Sequence, residues 1–439
     1  MSFRRVLTPF DATMVVIGGI IGSGIFINPY IVAQRLSSGP LVIGAWIAGG
    51  AIALVGALAY AELGGRAPRA GGQYVYLRDG LHPLLGFLYG WALLVSIESG
   101  AVAAVAYVFA QYALRLVGAG DGLAVALATA AIVLLSIVNA LGVKPGSRVL
   151  NVFVVLKVAA LALLIGAGLL LGGHGGWWRE SHAVTHAPLL AFGTALVPIL
   201  FAYGGWQNAN YVAEEIERPE RTLPLSLVTG TAIVVLVYVL VNLVYLRALG
   251  LAGLAATSTP AADAAESMFG APGRTFVAAA IAISTFGFLD LAILAPTRVY
   301  YAVAADGAFP PALARLHPRF GTPVLAIALQ SAWSIVLLLT GNYGELLNTV
   351  VFADWIFFGL TVASLFVYRA RSRGGRGGYR MFGYPVLPAA FVLVAAAIVY
   401  SVVRADPARA GIGALLLAAG LPVYWWFRRA HRASTRSEP

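Results

Sequence analysis

Apolar residues run along this chain in long blocks, each ended by a cluster of charged, proline or glycine residues. Blocks of about 20 residues match the length of helix needed to cross a ~30 Å hydrocarbon core. Reading the blocks between their polar breaks predicts twelve spans, near 10–36, 41–63, 84–117, 122–142, 149–172, 188–214, 223–246, 274–304, 323–341, 345–368, 384–403 and 410–428. No tract shows the short alternation of a closed membrane barrel, the other way to satisfy a backbone in lipid. The first block is too long for a removable leader and is not followed by a small-residue cleavage pattern. Composition points the same way, with 60% hydrophobic and only 11% charged residues. The expectation is an all-α, twelve-helix membrane protein.

Orientation follows from Lys and Arg, which concentrate on the cytoplasmic side of membrane proteins. With the N-terminus inside, 21 of the 29 basic residues fall on the cytoplasmic side, among them Arg66, Arg69, Arg78, Lys144, Arg298 and the run from Arg369 to Arg380. Seven fall outside, and Lys157 lies within a span. Both termini are expected to be cytoplasmic, in a bacterial-type inner membrane. The net charge of +11 is then a consequence of topology and of attraction to the lipid bilayer, not of nucleic-acid binding. The chain has no cysteine, which excludes disulfides, thiolate metal sites and a disulfide-linked partner subunit. Oligomeric state is not readable from the sequence.

Two spans are interrupted by glycine. The first reads Gly18-Gly19-Ile20-Ile21-Gly22-Ser23-Gly24-Ile25-Phe26, and the sixth reads Pro198-Ile199-Leu200-Phe201-Ala202-Tyr203-Gly204-Gly205-Trp206. They stand five spans apart, so the first ten spans divide into two halves. A repeat with an odd number of crossings must have the opposite orientation to its partner. Three regions follow: a first five-helix repeat over 1–172, a second over 188–368, and two further helices with a cytoplasmic tail over 369–439. Paired interrupted helices at corresponding positions mark the binding site of a transporter. A half-helix N-terminus presents free N–H groups and a positive dipole end, which suit a carboxylate. A half-helix C-terminus presents carbonyls, which suit an ammonium. An α-amino acid carries both groups on one carbon. Gly18 and Gly19 read instead as close-packing positions of the small-residue kind.

Beyond the breaks, an ordered set of short tracts runs along nearly the whole chain. It includes Asp11-Ala12-Thr13, Tyr60-Ala61-Glu62-Leu63-Gly64, Gly71-Gly72-Gln73-Tyr74, Glu214-Glu215-Ile216 with Arg218-Pro219-Glu220-Arg221, and Asp306-Gly307-Ala308-Phe309-Pro310. With the two breaks, this set resembles the amino acid–polyamine–organocation superfamily, and most closely its L-type amino-acid transporter (light-subunit) family and bacterial relatives. The resemblance implies the leucine-transporter-type fold, with helices 1 and 6 unwound at the midplane. It implies that amides at Gly22, Ser23 and Gly24 hold the substrate carboxylate. Carbonyls of Ile20, Phe201, Ala202 and Gly204 would hold its amine, with Phe201 and Trp206 as gates. Lys157 would occupy the place of sodium in sodium-coupled relatives, so sodium independence is expected.

Charges inside spans are expensive in lipid and are read as functional by default. Glu98, in the third span, is a candidate to pair with Lys157, contact a substrate amine or carry a proton; cationic amino-acid transporters of the superfamily tend to carry a glutamate in this stretch. Tyr203, Gln207, Ser284, Asp290 and Trp355 are candidate cavity-lining residues, and Asp354 beside Trp355 stays unassigned. The cytoplasmic clusters 66–78 and 214–221 hold both signs of charge and are candidates for inner-gate contacts. No nucleotide loop, nucleophile elbow or zinc-protease motif is present, so neither an enzyme nor a cofactor is expected. His174, His182 and His186 form only a weak loop trio, and no metal is expected. The resulting expectation is an antiporter or proton-linked carrier of small or medium neutral L-amino acids. The alternative is a cationic amino-acid or polyamine carrier using Glu98, with a non-transporting sensor as a third reading.

Overall fold

The structure is a computed structural model and describes residues 3–171, 173, 176–181, 188–341, 343–371 and 378–436. Its α-helices are, in chain order, α1 (Pro9–Ile20), α2 (Gly24–Arg35), α3 (Gly39–Arg66), α4 (Gln73–Gly80), α5 (Pro83–Ala92), α6 (Glu98–Leu116), α7 (Ala124–Ala140), α8 (Val143–Leu171) and α9 (Pro188–Ala202). They continue with α10 (Asn208–Tyr211), α11 (Pro219–Ala256), α12 (Pro260–Phe269), α13 (Ala271–Leu294), α14 (Thr297–Ala305), α15 (Val324–Thr340), α16 (Tyr343–Arg371), α17 (Val386–Ala405) and α18 (Pro407–Arg436). Among the described residues there is no strand beyond two isolated bridges. The all-helical expectation holds.

Among the described residues, nine helical segments are long and apolar enough to cross a membrane, and α1 with α2 forms a further span bent by 41°. Two shorter apolar helices, Leu190–Ala202 and Val324–Thr340, occupy the sixth and ninth expected segments. Several spans depart from regular helices. Residues Leu93–Ile97 wind as a π-helix between α5 and α6. The eighth span is interrupted by a turn at Ala295-Pro296, between α13 and α14. The seventh, α11, extends beyond the expected 223–246 and kinks at Gly250, whose φ of 69° suits glycine. In each half, the second long span is followed by one short helix, α4 or α12.

Small residues let the spans approach closely, the main source of helix association where lipid competes for apolar contact. On α3, a Cβ added at Gly50 would come within 2.6 Å of Val235, and one at Gly56 within 2.8 Å of Trp206. α11 lies along α3 through this face, while α13 packs against both α6 and α8. Polar contacts fix the start of α1. Thr8 and Asp11 form a reciprocal capping box, and Asp11 also accepts from Lys144 at 2.9 Å and Asn151 at 2.7 Å on α8. The segment before α1 pairs with the segment after α10: Val6 and Leu7 donate to the Glu215 carbonyl at 2.9 Å, and Glu217 donates to Leu7 at 2.9 Å. The two broken spans are thereby stitched together at one end.

Candidate functional site

Both expected breaks are present. α1 ends at Ile20, Ile21 adopts extended φ/ψ of −79° and 92°, and helix resumes at Gly24 with Ser23 as its N-cap. Ser23 makes no side-chain capping bond. Among the described residues, the amides of Ser23, Gly24 and Ile25 have no partner. This is the free first turn that every helix start leaves. α9 ends at Ala202, and α10 begins only at Asn208. Pro198 inside α9 lacks an N–H and cannot bond the Thr194 carbonyl four residues back. The Arg35 guanidinium donates to that carbonyl instead. Asn28 on α2 donates to the Pro198 carbonyl at 2.7 Å, so two side chains of α2 brace α9 just ahead of its break.

The breaks also meet each other. Gly205 has φ of 115°, and a Cβ there would collide with the Gly19 carbonyl. A Cβ on Gly24 would sit 3.1 Å from Ala202. Glycine is required at Gly205, where main chain passes main chain, and the fit at Gly24 is tight. Within the second break, Gln207 accepts from the Gly205 amide at 3.0 Å, and Asn208 donates to the Gly205 carbonyl at 3.1 Å.

One cavity opens between the breaks. Ile20, Gly22, Ser23 and Gly24 line it from one side, and Phe201, Ala202 and Gly204 from the other. All seven backbone positions expected to hold an amino acid therefore face the same space. The candidate carbonyls differ in what they already do. Ile20 accepts from the Tyr238 hydroxyl and the Gly22 amide, each at 3.0 Å, and Phe201 accepts from Gly204 at 3.2 Å. The Ala202 and Gly204 carbonyls have no partner among the described residues. The arrangement offers free N–H donors from one half-helix and free carbonyl acceptors from the other. Such a pair can hold a carboxylate and an ammonium at once.

Lys157 on α8 is fully buried, with Nζ donating to the Gly18 carbonyl at 3.0 Å and to Ile21 at 2.6 Å. It thus caps the frayed end of α1 with a positive charge. It does not pair with Glu98, which was one of the roles open to that glutamate. Ser284 assists, donating to Ile21 at 3.4 Å and Gly22 at 3.3 Å. Glu98, Gln207, Asp354 and Trp355 line the cavity with Phe288 and Phe358.

Four expected site residues lie elsewhere. Trp206 is fully buried and packs on Phe358 and Tyr60, so it supports the wall and is not positioned as a gate. Tyr203 is fully buried, with its hydroxyl on the Trp46 carbonyl at 3.2 Å. Asp290 is buried against Asn139 at 2.8 Å. Ser284 touches the break rather than the cavity. Phe201 keeps 36% of its surface exposed, as a residue at the cavity mouth does. Sequence reasoning missed Phe288, Asn208 and Phe358, which carry no motif, and left Asp354 unassigned.

Toward the arginine-rich side, further polar contacts join the spans and the segments between them. The Tyr89 and Tyr211 hydroxyls bond each other. Arg298 forms a fully buried ion pair with Glu215 at 2.7 Å. Asp306 binds Tyr74 at 2.6 Å and also Arg78, and Glu214 accepts from the Ala70 amide at 3.1 Å. Burial pushes the Glu215 carboxyl up, and the neighbouring Arg298 charge pulls against that rise. Ala70, Tyr74 and Arg78, with Glu214 and Glu215, belong to the clusters 66–78 and 214–221 that the sequence marked as inner-gate candidates. Arg298 and Asp306 are their partners from outside those clusters, and the Tyr89–Tyr211 pair lies outside them as well. Among the described residues no group of three or more potential ligands is placed to hold a metal ion. His174, His182 and His186 lie outside the described residues.

Comparison with known proteins agrees with this geometry. The amino acid permease family matches residues 7–427. The chain is 31% identical over 425 residues to a serine/threonine exchanger of Bacillus subtilis, covering 95% of each chain. It is 30% identical over 434 residues to the human cystine/glutamate transporter, covering 97% of this chain and 86% of that one. It is 31% identical over 435 residues to the human large neutral amino acids transporter small subunit 2, covering 97% and 81%. The chain belongs to the amino acid permease family of the amino acid–polyamine–organocation superfamily, among the relatives of the L-type amino-acid transporters.

Proposed function

We propose that this membrane protein exchanges L-amino acids by alternating access, holding the substrate by main-chain groups and needing no sodium. One observation carries the reading: the partnerless amides that start α2 and the partnerless carbonyls that end α9 line the same cavity. In a membrane interior, bare backbone groups are tolerated only where they are buried in protein or line a cavity. A zwitterion satisfies both sets at once. The three relatives are named for different amino acids, and what those solutes share is the α-amino and α-carboxylate groups.

The Lys157 ammonium, on the Gly18 and Ile21 carbonyls, supplies the positive charge that a bound cation would otherwise bring to the break. The Arg298–Glu215 pair and the contacts of Asp306 act as an inner gate, formed while the Phe201 side of the cavity is open. They release when the bundle rocks to the opposite state. The protein sits in a bacterial-type inner membrane with both termini cytoplasmic, an orientation that the arginine distribution supports. Its ten repeat spans fall into two inverted halves. The solute leaves chemically unchanged, which separates this reading from a membrane enzyme.

The test is counterflow in liposomes reconstituted with purified protein. Vesicles preloaded with an unlabelled amino acid should accumulate the labelled one. Empty vesicles should not, and replacing sodium by choline should change nothing. Chemical conversion of the solute, or accumulation only with sodium, would overturn the reading.

A further inference from the structure

The backbone grip fixes the two α-groups and leaves the substrate side chain to the rest of the cavity. That remaining wall has an unusual make-up. Glu98 and Asp354 both line it, and among the described residues no Lys or Arg does. Glu98 is only 6% exposed. Among the described residues neither carboxylate has an ion pair. Of the fully buried cations among the described residues, Lys157 is committed to two carbonyls of the α1 break and Arg298 to Glu215. Glu98 buried and Asp354 half-buried without a countercharge are costly, so the cavity is incomplete as it stands.

The backbone around Glu98 is distorted in a way that sets its direction. The π-helical segment Leu93–Ile97 ends immediately before it, and the Glu98 amide reaches back five residues to the Leu93 carbonyl. Trp333 donates to the Val95 carbonyl within that segment at 3.0 Å. Such π-bulges occur mostly at functional sites because they re-aim a side chain within a span. After the bulge, Glu98 shares one face of α6 with Ala101, Val105 and Val108, which also line the cavity. Phe288 and Phe358 line it as well. The wall therefore offers apolar surface for a stem and anionic acceptors for a head.

Resting on the amino-acid exchange reading, we propose that the cavity selects L-amino acids whose side chain ends in a cation, an ammonium or guanidinium on an apolar stem. Glu98 and Asp354 are the acceptors that select it. This favours the cationic alternative over the neutral substrates expected first. The ligand cation supplies the missing countercharge. Glu98 is placed to bind it by the bulge, and Asp354 by its position beside Trp355 on α16, which packs against α6. A neutral side chain would leave both carboxylates unpaired.

The experiment compares labelled L-arginine with L-citrulline, which keeps the shape but carries a neutral ureido head. Wild type, Glu98→Gln, Asp354→Asn and the double variant are assayed by exchange in liposomes. Wild type should favour arginine over citrulline by on the order of 100-fold in kcat/KM, as expected when a buried charge is left unpaired. Each single variant should shrink that ratio, and the double variant should invert it, with citrulline exchange rising above arginine exchange. Recovered citrulline exchange shows that the variants fold. A wild type that prefers citrulline, or variants that lose both solutes in proportion, would overturn the proposal while leaving amino-acid exchange intact. Exchange of none of the twenty amino acids would instead overturn the transport reading on which it rests.

Discussion

Replacing Lys157 by methionine removes the charge while keeping the length and the apolar stem. The structure sets the size of the effect. Two hydrogen bonds disappear, at 3.0 Å to Gly18 and 2.6 Å to Ile21, each worth about 1.5–3 kcal/mol when the donor is charged. The two carbonyls are then left in a dry interior, where among the described residues only Ser284 still approaches Ile21. Against this loss stands the relief of no longer burying an ammonium, a penalty of several kcal/mol. The terms oppose each other in folding, so the melting temperature should move by only a few degrees. They do not oppose each other in binding, because the shape of the break depends on the capped carbonyls alone. A loss of about 3 kcal/mol in holding that shape corresponds to on the order of 100-fold in apparent affinity. The assay pairs thermal unfolding in detergent with counterflow kinetics in liposomes. Lys157→Gln, which keeps a donor without the charge, should fall between wild type and Lys157→Met. Wild-type affinity and rate in Lys157→Met would refute the argument.

Two other substitutions probe the frame around the site. Gly24→Val places branched methyls where a single Cβ already sits 3.1 Å from Ala202. Substrate-induced thermal stabilisation should vanish while the apo protein still elutes as a folded species, and retained stabilisation would argue against the carboxylate site. Glu215→Gln leaves Arg298 fully buried without its charge partner, which should destabilise the protein by about 3–5 kcal/mol. Thermal unfolding should occur at lower temperature, and an unchanged transition would mean that the pair contributes nothing to the closed inner side.

Much of the fold was legible because lipid narrows the choices. A run of about 20 apolar residues has one structured outcome, and glycine in mid-run marks where that outcome fails. The seven backbone positions at the two breaks line one cavity because their role depends on main chain, which Gly22, Gly24 and Gly204 expose whatever the side chains do. Side-chain direction was less legible. Trp206, Tyr203, Ser284 and Asp290 lie in tracts apolar on every side, so periodicity could not say which face meets the cavity. Trp206 turned to Phe358, Tyr203 to Trp46, and Asp290 to Asn139. Glu98 was visible as a charge in a span, but the π-helical turn that orients it has no sequence signature. Phe288 and Asn208 belong to the wall only through long-range packing. Asp354 gained its meaning from Glu98, a residue more than two hundred and fifty positions away in the chain.

The central claim is that two frayed helix ends grip both charged groups of an α-amino acid. Its most direct test is a binding series on purified protein, using the amino acid exchanged fastest together with two analogues. One analogue lacks the α-carboxylate, as the decarboxylated amine. The other replaces the α-ammonium by hydroxyl, as the 2-hydroxy acid. Calorimetry should detect the parent amino acid and neither analogue, since each leaves one helix end bare. Binding of either analogue with the affinity of the parent would contradict the claim.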